Sequence, residues 1–366
     1  MSPRQLRQLL LVIILALLAI GVVVVFSASA MASAATYGGS LRFIAHHLAS
    51  IVCGMAAGTA CLAIPYDTLR RSARWLFVIS LALLILVYFF GPEVGGAKRW
   101  FHIGRLSVQP SEFAQLSLVL YLADLLARRA DHVTEMVRGL LPPLAATGLM
   151  AGLVLIQPDL GTTIVMGAVA LLLMFLARAR TRHLGVVLAA AVVVLAVLIA
   201  GAAYRRRRIL AFLDPWEDPQ GSGYQILQSY YALASGGLAG LGVGGSLQRL
   251  FFLPSAHADF VFAILGEELG LLGTTAVLAL LALFLICGFR VAIASADSFS
   301  KYLVCGLVGM IGLEAAVNIA VVTGLLPTKG LPLPFLSYGG SSMVMNLVAC
   351  ALIFQASKHA DRVAPA

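Results

Sequence analysis

Charged residues are scarce in this chain, since only 11% of its 366 residues are Asp, Glu, Lys or Arg. Apolar residues make up 61% and the mean hydropathy is +0.98, which excludes an ordinary soluble domain. The sequence also lacks a Walker-type loop, an HExxH motif and a dinucleotide-binding fingerprint. The composition therefore predicts an integral membrane protein in which the energy for any reaction comes with the substrate.

Cysteine is also rare, and its positions carry no pairing signal. The five cysteines lie within apolar runs and form no CxxC pair: Cys53, Cys61, Cys287, Cys305 and Cys350. They are interpreted as small core residues, which implies neither a disulfide framework nor a metal site. No cofactor is predicted, and a divalent cation is left open.

Ten apolar runs are long enough to cross the roughly 30 Å of membrane hydrocarbon, which takes about 20 helical residues. They lie at residues 8–27, 43–64, 74–90, 108–127, 140–156, 159–177, 183–204, 259–289, 302–325 and 336–357. The predicted fold class is therefore an all-α polytopic membrane protein, with one integral membrane domain over residues 1–366. Residues 205–258, between the seventh and eighth spans, form a large extracytoplasmic loop. We expect this loop to carry amphipathic helices that lie on the membrane.

The first apolar run has two interpretations. Arg4 and Arg7 precede it and Ala28-Ser29-Ala30 follows it, as in a cleaved secretory signal. The run from Leu9 to Phe26 is longer than an ordinary signal core and opens a chain with many further spans. We therefore expect a retained first span.

The positive charges predict the orientation of the spans. With the N-terminus in the cytoplasm, 15 of the 25 Lys and Arg residues lie inside, and five of the others belong to the long segment 205–258. Long loops report orientation poorly, so the short loops place both termini in the cytoplasm. The net charge of +9 is then a topology signal and an attraction to anionic membrane lipids, and nucleic acid is not an expected partner.

Four polar clusters interrupt the apolar pattern, and in this topology all four open toward the outer face. Their shared side is more informative than any single cluster. They comprise residues 95–101 with 109–112, residues 157–162, the long loop 205–258, and residues 326–342.

Five segments in these clusters resemble, in order, the signatures of the SEDS family (shape, elongation, division and sporulation). They read KRWFHIGRLSVQPSEFAQL, QPDLGT, LDPWEDPQGSGYQ, LPSAHADFVFAILGEELG and NIAVVTGLLPTKGLPLPFLSYGGSS, and the match runs from about residue 95 to residue 357. The third segment and the end of the fifth look more like the division branch of the family than the elongation branch.

The resemblance implies a peptidoglycan glycosyltransferase of the inner membrane that polymerises lipid II, an undecaprenyl-diphosphate disaccharide-pentapeptide, at the outer face. It implies that the aspartate of the HxDF segment, here Asp259, is catalytic. It also implies a class B penicillin-binding protein, a transpeptidase, as partner, together with other division or elongation proteins. The family usually has a lysine where this chain has Gln115, which puts a Glu–Lys pair with Glu112 in doubt.

The chemistry of such a reaction agrees with the residues present. A sugar hydroxyl that attacks an anomeric carbon must lose a proton, for which Asp259 is the candidate base. The departing diphosphate needs cations or backbone amides, and a single base with counter-charge is sufficient. The candidate cations are Lys98, Arg99, Lys329 and the run Arg205–Arg208.

Eleven residues are predicted to bind substrate, and several of them have a structural alternative. Glu112 and Asp159 start helices and are candidates for capping, as is Asp259 itself. Trp100 is also typical of a membrane interface, and Gly339-Gly340 of a turn. His257 is interpreted as a loop histidine, not coupled to Asp259. The predicted binding residues are Lys98, Arg99, Trp100, Glu112, Asp159, Lys329, Ser337, Tyr338, Gly339, Gly340 and Ser341.

Glu314 lies in the middle of the ninth span, where an acid is costly and needs a partner or a water-filled cavity. Asn318 is one turn further on the same face, so the pair predicts a polar seam in the membrane or a hydrogen bond between helices. Two other functions stay open for the whole chain. These alternatives are a transporter that flips lipid II and a scaffold that activates a partner synthase.

Overall fold

The computed structural model describes residues 3–37, 39–94, 96–103, 106–250, 252–254, 256–295 and 297–363. Over these ranges the chain is nearly all helical. The helices are α1 (Pro3–Tyr37), α2 (Arg42–Ala63), α3 (Tyr66–Phe90), α4 (Pro110–Arg128), α5 (Leu141–Ile156), α6 (Leu160–Leu176), α7 (Thr181–Ala200), α8 (Ala203–Leu213), α9 (Tyr224–Gly236), α10 (Val261–Ile293), α11 (Ser298–Val322) and α12 (Gly340–Val363).

Two short antiparallel hairpins lie between α3 and α4. β1 (Glu93–Val94) pairs with β2 (Ala97–Lys98), and β3 (Phe101–Ile103) pairs with β4 (Leu106–Val108). A 3₁₀ turn at Ala130–His132 and a π-helical turn at Met136–Leu140 join α4 to α5. Gly95, in the first polar cluster, lies outside the described residues.

Every predicted span has a helix at its position, namely α1–α7 and α10–α12. Among the described helices, eight are long and apolar enough to cross a membrane. The 17 residues of α6 fall short in length, and α4 carries Glu112, Gln115 and Asp124 among its apolar residues. The polytopic membrane fold is confirmed, whereas the count of ten crossings stays a prediction.

The last predicted span begins later than expected, at Gly340 rather than residue 336. Residues 323–339 form an irregular, largely buried segment between α11 and α12. Pro327, Pro332 and Pro334 explain this, because proline lacks the N–H that a helix needs. The segment approaches α1 so closely that a Cβ on Gly21 would lie 2.4 Å from the carbonyl oxygen of Phe335. The fourth polar cluster is thus packed into the bundle.

α4 and α11 form the centre of the bundle, and most of their side chains are buried. α11 packs against α4, α6, α10 and α12. α7 is the opposite case, because none of its residues, all of them described, is buried. An apolar helix exposed on all sides but one belongs against lipid.

The long loop contains α8 and α9. α9 is amphipathic as predicted, and its apolar face is buried at Ile226, Leu227 and Ala232. That face packs on α10 and α11, and the Ser229 hydroxyl donates to the Val322 carbonyl at 2.7 Å. α9 is thus docked on protein, which corrects the expectation that its apolar face rests on lipid. The side of the membrane on which this loop lies stays a prediction.

α10 is broken at Gly270, whose φ of 64° and ψ of −161° are non-helical. The segment 237–242 supplies the hydrogen bonds that the break removes. The Leu271 N–H donates to the Gly237 carbonyl at 2.9 Å, and the Leu241 N–H donates to the Glu267 carbonyl at 3.0 Å. Non-helical backbone at membrane depth persists only where protein satisfies it in this way.

The side chain of Glu267 binds the residues that follow the segment 237–242 in the long loop. Its carboxylate accepts hydrogen bonds from the Leu247 N–H at 3.0 Å, from the Gln248 N–H at 3.3 Å and from the Ser246 hydroxyl. Glu267 and Ser246 are both buried. The break in α10 therefore anchors the loop that leads, a few residues later, to Asp259.

Replacing Gly270 by Ala is expected to destabilise the fold strongly. An added Cβ would lie 2.4 Å from the Gly240 nitrogen, and the backbone there is left-handed. Strain and overpacking together should cost about 3 kcal/mol or more. Thermal unfolding in detergent measures the loss. Gly148→Ala is the matched control, because nothing lies within 4 Å of its added Cβ. Equal melting of the two variants would show that the break tolerates a side chain.

Candidate active site

Four helices begin at the same end of the bundle, where the polar clusters meet. Asp259 lies two residues before α10, Asp159 directly precedes α6, Glu112 is in the first turn of α4, and Gly340 opens α12. The N-terminus of a helix carries partial positive charge and free N–H groups, which favour anions. This end of the bundle is therefore suited to a negatively charged group.

A cavity of about 660 Å³ lies at this end, and we call it the Asp259 cavity. Its charged lining includes Arg99, Asp159 and Lys329 from three of the polar clusters, and Asp259 directly after the long loop. Arg205 and Arg208 of α8 complete the charged part, and α7 adds apolar residues. The predicted convergence of the clusters is thus realised in one cavity.

Asp259 is a half-buried carboxylate that does not cap the helix it precedes. The cap residue of α10 is Phe260, and no side-chain hydrogen bond caps this helix. Burial raises the pKa of Asp259 to about 6, against an opposing effect of Arg208. Gly330 lies against the carboxylate, since a Cβ there would be 3.0 Å from Oδ2. A carboxylate with a pKa near the working pH is suited to accept a proton.

Lys329 is the cation on the loop that faces Asp259. Burial lowers the pKa of Lys329 to about 8, while Asp159 acts in the opposite direction. Arg208 donates to the Thr328 carbonyl at 3.0 Å, which fixes the start of the same loop. The cavity therefore places positive charge beside the candidate base.

Of the arginine run Arg205–Arg208 in α8, only the first and the last members line the cavity as described. Arg205 and Arg208 are among its lining residues, whereas Arg206 and Arg207 are not among those described there. Arg205 donates to the Leu198 carbonyl at 2.9 Å, and its buried Nε has no partner among the described residues. A buried donor without a partner is a favourable contact for an anion.

Asp159 and Arg99 have clear structural roles. The Asp159 carboxylate caps α6 by accepting from the Thr162 N–H at 3.2 Å and from the Thr162 hydroxyl at 2.9 Å. Arg99 donates to the carbonyls of Gln157 at 2.6 Å and Pro158 at 2.8 Å. It thereby ties the β-hairpins to the turn between α5 and α6. Both residues still line the cavity.

A row of buried polar groups continues inward from Asp159. Glu112 interacts electrostatically with Asp159 and with Glu314. Gln115 donates to the Glu314 carboxylate at 2.8 Å, so Gln115 pairs across to α11 and not back to Glu112. The hydrogen bond between helices that the sequence left open is therefore present. Asn318, on the same face, bonds instead to two loops.

A second cavity, of about 540 Å³, holds most of the other predicted residues, and we call it the Trp100 cavity. It is lined by Trp100, Tyr338, Gly339, Gly340 and Ser341. His257 and Ala258 form part of its wall, whereas Asp259 faces the first cavity. Residues 257–259 thus separate the two cavities.

Aromatic rings line one side of the Trp100 cavity. The centroids of His257 and Tyr338 are 5.5 Å apart, and Phe43 lies 4.8 Å from His257. Burial lowers the pKa of His257. The contribution of α2, which includes His46, Ser50 and Cys53, was missed from the sequence because these residues sit singly in an apolar run.

Three predicted residues are not among the described lining residues of either cavity: Lys98, Glu112 and Ser337. Lys98 lies on β2 and is exposed. Ser337 is buried, and its hydroxyl accepts from the Leu333 N–H at 2.8 Å, so it shapes the loop that carries Lys329. Among the described residues, no group of three or more His, Cys, Asp or Glu side chains is arranged to hold a metal ion.

An apolar helical bundle with two cavities at one end, one of them charged, defines a polytopic membrane protein whose candidate site lies where several helices begin. The chain belongs to the FtsW/RodA/SpoVE family of cell cycle proteins, whose model matches residues 7–362. It is an integral protein of the inner membrane. The resemblance to the SEDS family is thereby confirmed.

Relatives cover nearly the whole chain. It is 38% identical over 350 residues, 95% of this chain and 93% of the relative, to a protein of Geobacter metallireducens named "Probable peptidoglycan glycosyltransferase FtsW". It is 39% identical over 355 residues, 96% of each chain, to stage V sporulation protein E of Bacillus subtilis.

Solved structures agree with the fold. One is a chain from work on the coordination of polymerization and crosslinking by a peptidoglycan synthase complex. It has a TM-score of 0.80 and 31% identity, and 96% of this chain and 97% of that one are covered. Another is the rod shape determining protein RodA of Thermus thermophilus, with a TM-score of 0.73, 27% identity and 97% of each chain covered.

Proposed function

We propose that this protein is a peptidoglycan glycosyltransferase that polymerises lipid II into glycan strands at the outer face of the inner membrane. The observation that carries the proposal is the Asp259 cavity, in which a half-buried carboxylate that caps no helix faces Lys329, Arg205 and Arg208. The names of the full-length relatives support the same activity.

The reaction follows from this arrangement. A hydroxyl of the acceptor sugar attacks the anomeric carbon of the donor, and Asp259 accepts the hydroxyl proton as the new glycosidic bond forms. The bond from the anomeric carbon to the diphosphate breaks, and the undecaprenyl diphosphate leaves with both bonding electrons. Lys329, Arg205 and Arg208 stabilise the charge that develops on the leaving group. Diphosphate is a good leaving group, so one base with counter-charge is sufficient.

The walls of the cavity suit a lipid-linked substrate. Leu195 and Ile199 of α7 and Ile164 of α6 form an apolar side, which accommodates a polyprenyl chain, while the charged side receives the diphosphate. Trp100, Tyr338 and Ser341, in the neighbouring cavity, provide a surface for a sugar, because aromatic faces and hydroxyl groups both bind carbohydrate well. Both cavities adjoin the segment that carries Asp259.

A transpeptidase of the class B penicillin-binding type is the proposed partner. A solved relative belongs to a synthase complex that combines polymerization with crosslinking, and crosslinking is the activity of such transpeptidases. The division branch is the proposed context, since relatives named FtsW are 38% identical to this chain and the solved RodA chain is 27% identical.

The test is polymerisation of labelled lipid II by the purified protein in detergent, with and without the partner. Detergent abolishes transport across a membrane but permits synthesis, so a flippase would give no polymer. A scaffold would give polymer only through an active partner, and a partner whose own catalytic residues are replaced removes that route. Strands formed with such a partner support the glycosyltransferase, and none formed would overturn it.

The outward-facing site has its own prediction. Gln220 is exposed in the turn before α9, so Gln220→Cys in a cysteine-free protein should react with a membrane-impermeant thiol reagent in intact spheroplasts. Ser246, in the same loop, is unsuitable for this labelling because it is buried against Glu267. Thr134→Cys, in the exposed turn between α4 and α5, is the matched control and should react only after lysis. The reverse pattern would invert the topology.

A further inference from the structure

Asn318 lies one turn before the end of α11 and is only 1% exposed. Its amide nitrogen Nδ2 donates to the carbonyl of Asp259 at 2.8 Å and to the carbonyl of Leu331 at 2.7 Å. Both N–H groups of one amide are thus used, each on a different loop. An amide is the side chain that provides two N–H donors without a charge.

The two loops meet at the centre of the Asp259 cavity. One carries the candidate base, and the other carries Lys329 and Gly330, with Gly330 against the Asp259 carboxylate. Neither loop is held by a helix or a sheet at these positions. Their separation therefore depends on specific side-chain contacts.

The Lys329 loop is held at both ends. Arg208 binds the carbonyl of Thr328 at 3.0 Å on one side of Lys329, and Asn318 binds the carbonyl of Leu331 on the other. Of the two side chains Arg208 and Asn318, Asn318 is the one that also binds the backbone carbonyl of Asp259. It therefore links the backbone of the base to the loop of the cation through one amide on a central helix.

We propose that Asn318 is a positioning residue that sets the distance between the Asp259 carboxylate and the Lys329 loop. The proposal rests on the glycosyltransferase function above. Asn318 acts through the backbone of the two loops and contacts neither reacting group. A displacement of about 1 Å in such a geometry lowers a rate by up to about 10²-fold, while the binding surfaces of the cavities are unchanged.

The test uses Asn318→Asp, which keeps the shape of the side chain and removes the amide donors. The maximal rate of polymerisation should fall by about 10- to 100-fold, with a nearly constant lipid II concentration for half-maximal rate. Asn346→Asp on α12 is the matched control, since Asn346 is 3% exposed and its Nδ2 donates only to the Ser342 hydroxyl, at 3.4 Å. The control should keep its rate, with a melting temperature lowered as much as in Asn318→Asp.

A double-mutant cycle separates positioning from general damage. In an Asp259→Asn background, Asn318→Asp should change the residual rate by less than about twofold, because there is no base left to position. Multiplication of the two losses, or a normal rate for Asn318→Asp alone, would overturn the proposal. Failure of the glycosyltransferase function itself would look different, because the unaltered protein would then form no strands.

Discussion

Replacement of Asp259 by Asn is expected to lower glycan-strand synthesis by about 10²- to 10⁴-fold, the usual contribution of a general base. Asn has the same shape but cannot accept the proton of the attacking hydroxyl. The carboxylate caps no helix, so folding, membrane insertion and partner binding should be preserved. Asp259→Glu should keep a small part of the activity, because its carboxylate is displaced by one methylene.

The measurement is the initial rate of lipid II polymerisation by purified variants with matched melting temperatures. Glu217→Gln is a suitable control, because Glu217 is an exposed acid of the same long loop and is not among the described lining residues of either cavity. Its rate should be unchanged. If Asp259→Asn polymerises at the normal rate, the base is another acid, and Glu112 or Asp159 becomes the candidate.

The spans were predictable because hydrophobic runs of this length have one stable arrangement in a membrane. The break at Gly270 was not, although the sequence GEELG is visible inside the eighth run. The hydrogen bonds that stabilise the break come from residues 237–242, some 30 positions earlier, and no local pattern reports such a pairing. The docking of α9 on α10 depends on the same long-range contact.

Asp159 and Asp259 show how far local sequence goes in assigning a role. Both precede a helix, and for both the sequence left capping and catalysis open. The structure gives Asp159 the N–H of Thr162, whereas Phe260 occupies the cap position of α10. A difference of one residue in where the helix starts decides whether the aspartate caps that helix. Sequence patterns do not locate helix starts to one residue.

The division of the predicted residues between two cavities was also hidden. Arg99 and Trp100 are neighbours in the chain, yet they face different cavities, and so do Asp259 and Ala258. Adjacent side chains in extended backbone point to opposite sides, as at Arg99 and Trp100, whereas Ala258 and Asp259 lie in a turn. The sequence placed all these residues at one membrane face, but only the path of the backbone shows which ones meet.

The dependence of the rate on pH should be bell-shaped. Asp259 must be ionised to accept a proton, so the rate rises as the pH increases through its pKa of about 6. Lys329 must be protonated to stabilise the diphosphate, so the rate falls as the pH increases through its pKa of about 8. The rate should therefore be highest between these two values.

Replacement of Lys329 by Gln is expected to lower the maximal rate by about 10²-fold, as for the loss of one group that stabilises developing charge. It should also remove the alkaline limb of the pH profile, while the acidic limb set by Asp259 stays in place. Lys301→Gln is the matched control, because Lys301 lies in the first turn of α11 and the Lys329 loop follows the last turn. This variant should keep both limbs of the pH profile. Rates from pH 5 to pH 10 measure the effect. An alkaline limb that persists without Lys329 would assign that limb to another group and leave the diphosphate to Arg205 and Arg208.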